Sequence, residues 1–295
     1  MESAMIKPRR SWLAALLSLL GSGPLGQVYT GRFRRSVVLW TLGALLQLIL
    51  TFAYIALPLG RFGLALFCLC VLALPIYMAV DAFLLAKRNR DAPLKRYQRW
   101  WIYLLVFVAF CIANNTVALG VRTFLAEAFV VPSRSMSPTI QPGDQIMVDK
   151  LWCSPKSLQR NDIVVFRSEG PDSEPFVMRV VGLPGDEIKI RDEQVFLNGT
   201  KWDDQHAVFD RDLPSHAEFA NYGPIKIPSD SFFVLGDNRR LSKDSRSLGP
   251  IPLSDLLGKA RIIYWAWERR FPDPADTSRY ERGQIRWDRM GTRLD

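Results

Sequence analysis

The chain has 295 residues, 48% of them hydrophobic, and a formal net charge of +9. This length allows one large domain or two smaller units. Apolar residues are concentrated before about residue 125, and charges, prolines and glycines dominate afterwards. The positive charge invites a nucleic-acid interpretation, but the Lys and Arg residues of the first half flank apolar segments, a placement typical of membrane orientation. We therefore expect no nucleic-acid partner.

The first apolar run, residues 12–20, is interrupted by glycines and a proline at 21–24. It is too short to cross a bilayer, which needs about 20 residues. It could be the apolar core of a signal peptide, but no convincing small-residue cleavage pattern follows it. The pattern predicts an interfacial or re-entrant helix within residues 1–36, with a turn at 26–31.

Three longer apolar runs follow, at 37–57, 62–86 and 101–120, and each is long enough to span a membrane. They predict two transmembrane helices and a basic cytoplasmic loop within residues 37–100, and a third transmembrane helix at 101–125. Trp100 and Trp101 are placed to anchor the last helix at an interface. Asp81 is the single charge in the three runs, which disfavours buried helices of a soluble protein and gives little support to a channel or transporter.

The basic residues of the loops predict the orientation. Residues 32–35 carry three Lys or Arg, residues 58–62 carry one, and residues 87–99 carry six. The positive-inside rule places the first and third of these loops in the cytoplasm. We therefore predict a multi-pass protein of the cytoplasmic (inner) membrane with an extracytoplasmic C-terminal domain.

Residues 126–295 predict a mainly antiparallel β domain. Short β-like runs lie at 163–166, 176–181, 187–191, 194–197, 232–235 and 260–265. Gly185-Asp186 and Asn198-Gly199 have the composition of hairpin turns, and Pro142-Gly143-Asp144 predicts a turn before a strand. Residues 200–222 are polar and weakly patterned, as expected for an excursion from the sheet. We also expect an apolar patch near residues 124–131 that rests on lipid.

Ser135 is a candidate nucleophile in the stretch 131–144, although a serine between two prolines is also compatible with a simple surface turn. A hydroxyl nucleophile needs a partner that removes its proton. His206 and His216 are the two histidines of the chain, and nothing local ties either to Ser135. We interpret both as solvated loop residues.

No metal, cofactor or disulfide framework is expected. The two histidines lie among acidic residues but lack a ligand spacing, and the four cysteines include no CxxC pair. Only Cys153 lies in the later half, which cannot form a disulfide within itself. The acidic residues near His206 and His216 are Asp203, Asp204, Asp210 and Asp212.

Four stretches together resemble the bacterial type I signal peptidases (leader peptidases). They are PSRSMSPT at 132–139, NDIVVF at 161–166, RVVGLPGD at 179–186 and GDNRRLSKDSR at 236–246, and IRWDRMG at 285–291 is similar to that family's C-terminal close. The resemblance covers about residues 100–291 in order, and the earlier spans lie outside the shared core. It implies the fold class of a membrane helical segment followed by a mainly antiparallel β domain of catalytic type.

The resemblance further implies a membrane-bound serine endopeptidase that removes signal peptides from exported preproteins after small residues. Its partners are then those signal peptides and the lipid bilayer. Ser135 is the expected nucleophile, and the Ser135 amide and the Ser133 hydroxyl are expected to form the oxyanion hole. Ser242 is expected to orient the base, and Asp244 and Arg246 to support the site as an ion pair.

Residue 178 departs from the family pattern. The position directly before RVVGLPGD is the family's general-base lysine, and here it is Met178. A thioether matches the lysine stem in length but cannot accept a proton from Ser135. Three interpretations remain open: an inactive homologue that binds extended peptides, an altered residue in an otherwise functional sequence, or another amine that has moved in. Lys243 is the candidate for that amine, with a solvated turn residue as its alternative.

Overall fold

The computed structural model describes residues 9–20, 25–56, 60–90, 98–151, 157–167, 174–209, 220–270 and 281–294. The chain divides into two compact units, residues 1–120 and 121–295. We call the first the helical unit and the second the β domain. The division lies five residues before the expected start of the β domain.

The helical unit contains five described helices. They are α1 (Ser11–Leu20), α2 (Leu25–Tyr29), α3 (Phe33–Ala56), α4 (Gly60–Arg88) and α5 (Trp100–Gly120). Three segments are long and apolar enough to cross a bilayer: Phe33–Tyr54, Phe62–Arg88 and Trp100–Leu125. The three spans expected from the sequence are therefore present, and the chain is a membrane protein.

Two local expectations for the helical unit need correction. The turn predicted at 26–31 is instead the single-turn helix α2, which ends before Gly31, where φ is +84° and favours glycine. The first span begins at Phe33 rather than at residue 37, so its first turn includes Arg35. That guanidinium lies 2.6 Å from Asp81 of α4, which explains how α4 holds a carboxylate.

The helix α1 packs against α2 and α4 through small residues. Ala14, Ser18 and Ala82 are fully buried there. A Cβ at Gly26 would lie 2.0 Å from the Ser18 hydroxyl oxygen and 2.8 Å from the Ala82 methyl, so only glycine fits. The predicted description of α1 as an interfacial or re-entrant helix stays a prediction.

The β domain begins with a π-helical turn at Val121–Leu125 and continues into thirteen described strands. In chain order they are β1 (Ala126–Val130), β2 (Asp144–Asp149), β3 (Ile163–Phe166), β4 (Phe176–Gly182), β5 (Glu187–Arg191), β6 (Gln194–Leu197), β7 (Thr200–Lys201), β8 (Tyr222–Lys226), β9 (Ser231–Leu235), β10 (Ile251–Pro252), β11 (Leu256–Arg270), β12 (Glu281–Ile285) and β13 (Thr292–Arg293), with a short helix α6 (Ser245–Leu248) after β9.

The strands form two antiparallel sheets. The larger has the order β1-β2-β11-β3-β4-β9-β10, with β12 and β13 also paired to β11, and the smaller has the order β7-β6-β5-β8. The long strand β11 changes partners along its length through bulges, so it joins β2, β3 and β12. The prediction of a mainly antiparallel β domain behind apolar helices is confirmed.

The predicted strand runs all fall within observed strands, but one predicted hairpin is wrong. Asn198-Gly199 does join the paired strands β6 and β7. Gly185-Asp186 instead follows β4, which belongs to the larger sheet, and precedes β5, which belongs to the smaller. The composition of residues 185–186 predicts a turn, which is present, but composition does not say which strands pair.

At the entry of the β domain, Phe124 is 70% exposed and Val130 is 46% exposed, whereas Val131 is buried. The expected apolar patch near residues 124–131 therefore has two large exposed members, and its contact with lipid stays a prediction.

Candidate active site

Residues 131–144, which we call the serine loop, are closed at their base by backbone hydrogen bonds. Val131 N donates to Asp144 O at 2.9 Å, and Gly143 N donates to Val131 O at 2.9 Å. Met136 and Ile140 are buried and anchor the middle of the loop in the core. Ser135, next to the buried Met136, is half-buried.

Two hydroxyls meet at Ser135. Ser133 Oγ donates to Ser135 Oγ at 3.4 Å, the long end of the hydrogen-bond range. Within the described residues, the Ser135 amide donates to no acceptor. A serine oxygen beside an unused amide and a second hydroxyl is the arrangement that can attack a carbonyl and stabilise the oxyanion that forms.

Residues 236–246, which we call the support loop, lie directly against the serine loop. Asn238 N donates to Ser135 O at 3.0 Å. A Cβ at Gly236 would lie 2.6 Å from Ser135 O and 2.2 Å from Ser242 Oγ. Because both groups occupy the space over Gly236, the structure brings Ser135 and Ser242 to one place.

Asp244 and Arg246 form an ion pair inside the support loop, with Arg246 Nε 2.8 Å from Asp244 Oδ1. The fully buried Asp244 carboxylate also accepts from the Gly236 amide at 3.1 Å and caps helix α6 through the Arg246 amide. Arg246 Nη2 donates to Arg239 O at 2.6 Å. The pair fixes the shape of the loop that carries Ser242, as the resemblance implied, and its role in activity stays a prediction.

Met178 lies on β4, the strand that pairs with β9 just before the support loop. Arg179 pairs with Leu235 of β9, so the antiparallel register places Met178 opposite Gly236. Its side chain is 2% exposed and belongs to the same apolar cluster as Met136. Ser242 Oγ is buried nearby and has no hydrogen-bond partner among the described residues. The polar atom expected to orient a base is therefore present, while the base position is filled by a thioether.

The remaining predicted candidates lie elsewhere or are used differently. Lys243 is exposed, whereas its neighbour Ser242 is buried, so their side chains leave the support loop in different directions. His206 is also exposed, as expected for a loop residue. Asp204 lies 2.5 Å from Arg239, and Asp203 accepts a hydrogen bond from Gln205.

Across the part of the chain that the structure describes, no group of three His, Cys, Asp or Glu could hold a metal ion. The expectation that His206, His216 and the neighbouring aspartates bind no metal stays a prediction, because the structure describes only some of these residues. His216, Asp210, Asp212 and Cys153 lie outside the described residues.

A buried ion pair that the sequence patterns did not indicate joins β4 to the support loop. Arg179 and Asp237 make a bidentate pair with both N–O distances at 2.7 Å, and both residues are buried. Thr139 Oγ1 of the serine loop donates to Oδ2 of the same carboxylate at 2.6 Å, so Asp237 links the support loop to both β4 and the serine loop. Arg179 and Asp237 lie within the stretches that carry the family resemblance, which was the available signal.

A second missed set holds the end of the serine loop. The fully buried Asp144 carboxylate receives Arg289 Nη2 at 2.6 Å and Arg286 Nη2 at 3.0 Å. Arg289 also donates to Thr139 O at 2.8 Å. These arginines lie in the 285–291 stretch, and no spacing rule connects them with a residue so distant in sequence.

The family pattern described as "Signal peptidase, peptidase S26" matches residues 99–265, more than half of the chain. The chain belongs to the signal peptidase I (S26) family. The serine loop and the support loop, which meet at Gly236, carry two of the stretches that resemble this family, so the structure agrees with the assignment.

Curated relatives agree with the assignment. "Probable signal peptidase I-2" of Synechocystis sp. is 38% identical over 154 residues, which are 50% of this chain and 67% of that protein. "Signal peptidase I" of Leptolyngbya laminosa is 36% identical over 52% of this chain and 75% of that protein. "Signal peptidase I" of Bacillus caldolyticus is 33% identical over 59% of this chain and 94% of that protein.

A crystal structure of a signal peptidase I from Enterococcus faecalis is 26% identical and covers 35% of this chain and 95% of that chain. Its TM-score is 0.29, a value too low to add to the assignment.

Proposed function

We propose that this protein recognises the signal peptides of exported preproteins in the cleft beside Ser135, on the extracytoplasmic side of the inner membrane, and acts on them as a serine endopeptidase. The observation that carries the proposal is the approach of the serine loop, where the Ser133 and Ser135 hydroxyls meet, to Ser242 at Gly236. Membership of the signal peptidase I family supports the substrate class.

The chemistry follows from the positions of the hydroxyls. Ser135 Oγ attacks the carbonyl carbon after a small residue and forms a tetrahedral intermediate. The Ser135 amide and the Ser133 hydroxyl donate to its oxyanion, a contact typically worth about 3–4 kcal/mol in the barrier. The C–N bond then breaks, the amine takes a proton, and water hydrolyses the acyl-serine.

Removal of the Ser135 proton is the step without an evident general base, because the family's base position is Met178. A positioned base contributes roughly 10²–10⁴-fold to such a reaction, and a buried methionine contributes none of it. Lys243 remains the candidate amine, although it is exposed and the neutral amine of such a base depends on burial.

A second candidate function is favoured by a specific observation. Met178 is packed in an apolar cluster and Ser242 Oγ is left without a partner within the described residues. A site shaped in this way holds an extended peptide but does not activate Ser135. The second candidate is therefore a non-catalytic, membrane-bound signal-peptide-binding protein.

One set of variants separates the two candidates. The full chain in detergent is incubated with a precursor protein that has alanine at the first and third positions before the bond, and both binding and cleavage are followed. Cleavage by the unmodified chain that is lost in Ser135→Ala supports the endopeptidase, and loss in Lys243→Met identifies the amine.

Cleavage only after Met178→Lys, with binding in both forms, supports the non-catalytic binder. The double variant Met178→Lys, Ser135→Ala is the control, since it restores the amine but removes the nucleophile. A chain that neither binds nor cleaves the precursor in any of these forms contradicts both candidates.

A further inference from the structure

The charge of the protein resides in its helical unit. Residues 1–120 contain thirteen Lys and Arg against three Asp and Glu, whereas residues 121–295 contain 25 against 26. The net charge of +9 is therefore wholly a property of the helical unit, and the β domain is close to neutral. A charge so concentrated indicates an interaction that the peptide cleft of the β domain does not supply.

A buried arginine gathers four segments at one end of the helical unit. Arg9 is 5% exposed, and its Nη1 donates at 3.1 Å to both Thr30 O and Asn89 O. Its Nη2 donates to Gln98 Oε1 at 3.3 Å, and Gln98 Nε2 donates to Tyr29 O at 2.6 Å. The residues before α1, the end of α2, the end of α4 and the start of α5 are thereby held together.

Exposed cations project from these four segments and from the first turn of α3. We call this surface the basic end. None of its members forms a salt bridge with another described residue, in contrast to Arg35, which pairs with Asp81. Its members are Arg10, Arg32, Arg34, Lys87, Arg88, Arg90 and Arg99, all exposed.

Aromatic side chains next to the basic end indicate a bilayer surface as the occupant. Trp12 is 56% exposed, Trp100 is 77% exposed and Trp101 is 46% exposed, and each follows closely on one of the cations. Exposed tryptophans beside apolar spans are typical of the headgroup level of a membrane. A nucleic acid would also bind the cations through its phosphates, but it would not explain the exposed tryptophans or the apolar spans that follow them.

We propose that the basic end binds anionic phospholipid headgroups, with several phosphates contacted at once by its exposed cations, most of which lie on segments that Arg9 and Gln98 hold together. Clusters of four to eight Lys or Arg beside a membrane helix attract acidic lipids, and each contributes about fivefold in affinity. The site goes beyond the proposed peptidase or peptide-binding function and does not depend on it.

The test uses the full-length protein in micelles of a neutral detergent and measures its affinity for fluorescent phosphatidylglycerol and fluorescent phosphatidylcholine. The unmodified protein is expected to bind the anionic lipid at least about tenfold more tightly. The pair Arg32→Gln, Arg34→Gln is expected to lose about 25-fold of that affinity, and the pair Arg90→Gln, Arg99→Gln to lose a similar factor.

The matched control is Lys189→Gln with Lys226→Gln, which removes the same charge from exposed positions of β5 and β8. It is expected to leave lipid binding unchanged. Equal affinity for both lipids, an equal loss in the control, or tighter binding of a short single-stranded RNA than of phosphatidylglycerol overturns the proposal. Two independent arginine pairs keep the test decisive if one variant fails to fold.

Discussion

Gly236 is the residue at which the two loops of the site touch. Its φ is not in the left-handed region, so the reason for glycine is space rather than backbone conformation. Ser135 O and Ser242 Oγ occupy the volume that any side chain would need. A methyl group at this position must therefore push Ser135 and Ser242 apart.

We predict that Gly236→Ala destabilises the protein by about 1–3 kcal/mol, the usual range for overpacking, and weakens precursor binding. Chemical denaturation in detergent and a binding assay measure the two effects. Gly185→Ala is the matched comparison because a Cβ there meets no atom within 4 Å, although its φ of +86° is strained. Loss of stability with binding intact is expected for Gly185→Ala, and the same result for Gly236→Ala contradicts the prediction.

Asp186 gives a pH-dependent contribution to stability. Burial alone raises the pKa of Asp186, but hydrogen bonds from the Leu183 amide at 2.8 Å, Asn198 and Arg160 outweigh it and hold the pKa below the ordinary 3.8. Because the folded-state pKa is lowered, this stabilisation is present above pH 3.8 and is lost as the pH falls through the lower folded value.

We predict that Asp186→Asn lowers the free energy of unfolding at pH 7 by about 2–3 kcal/mol, as expected for hydrogen bonds to a charged group. The difference from the unmodified protein is expected to shrink below pH 3.8. Urea denaturation at a series of pH values measures it. A difference that stays constant from pH 7 to pH 3 excludes the carboxylate charge as the cause.

At the scale of elements, the segment after β12 reaches back to the serine loop. Arg289 joins Asp144 to Thr139 O, and Arg286 joins Asp144 to Pro142 O at 2.9 Å. The Asp144 carboxylate is fully buried, so it depends on these two cations. The loop that carries Ser135 is thus fixed at one end by residues of a distant element.

We predict that Arg289→Gln destabilises the β domain by about 3 kcal/mol, the lower end for breaking a buried ion pair, because Arg286 remains. Hydrogen exchange is expected to rise in residues 133–143. In the double variant Asp144→Asn, Arg289→Gln, part of the stability is expected to return because no carboxylate is left unpaired. Unchanged exchange in this loop contradicts the role assigned to Arg289.

Local patterns predicted the elements well and their pairing poorly. The runs at 163–166 and 187–191 became strands with those bounds because alternation and β-branched composition act within a few residues. The hairpin predicted at Gly185-Asp186 was wrong because the strand before it, β4, pairs within the larger sheet and the strand after it, β5, pairs within the smaller one. Arg289 and Asp144 are 145 residues apart, and no local rule joins them.

The resemblance predicted that Ser135 and Ser242 would lie close together, and the structure adds the hydrogen bonding and packing around them. Ser135 and Ser242 could be named from their stretches, whereas the orphaned Ser242 hydroxyl could not, because hydrogen bonding depends on tertiary geometry. The burial of Met178 was likewise a question of packing rather than of pattern.

At the scale of the whole molecule, the basic loops predict that the end carrying Arg90 faces the cytoplasm and that the β domain faces outward. With the four native cysteines replaced by serine, single cysteines at Arg90 and Ser254 report the two sides. A membrane-impermeant maleimide is expected to label Ser254→Cys in intact right-side-out vesicles and Arg90→Cys only after lysis. The reverse pattern contradicts this orientation.

From the exposed side chains of Phe124 and Val130 we predict that the β domain contacts lipid directly, independently of the transmembrane helices. Phe124→Ser with Val130→Ser is expected to reduce the binding of residues 121–295 to neutral vesicles. Leu151→Ser, at an exposed position that is 48% accessible, is the comparison. Undiminished binding by the first pair contradicts the patch.

The distance in sequence between Asp144 and Arg289 has a consequence for biogenesis. A ribosome must add 145 further residues after Asp144 before its second cation exists. Until Arg286 and Arg289 are both present, the Asp144 carboxylate lacks its full set of cations, so its burial carries the penalty of an incompletely paired charge. We therefore expect the base of the serine loop to close only after the segment that follows β12 has been synthesised.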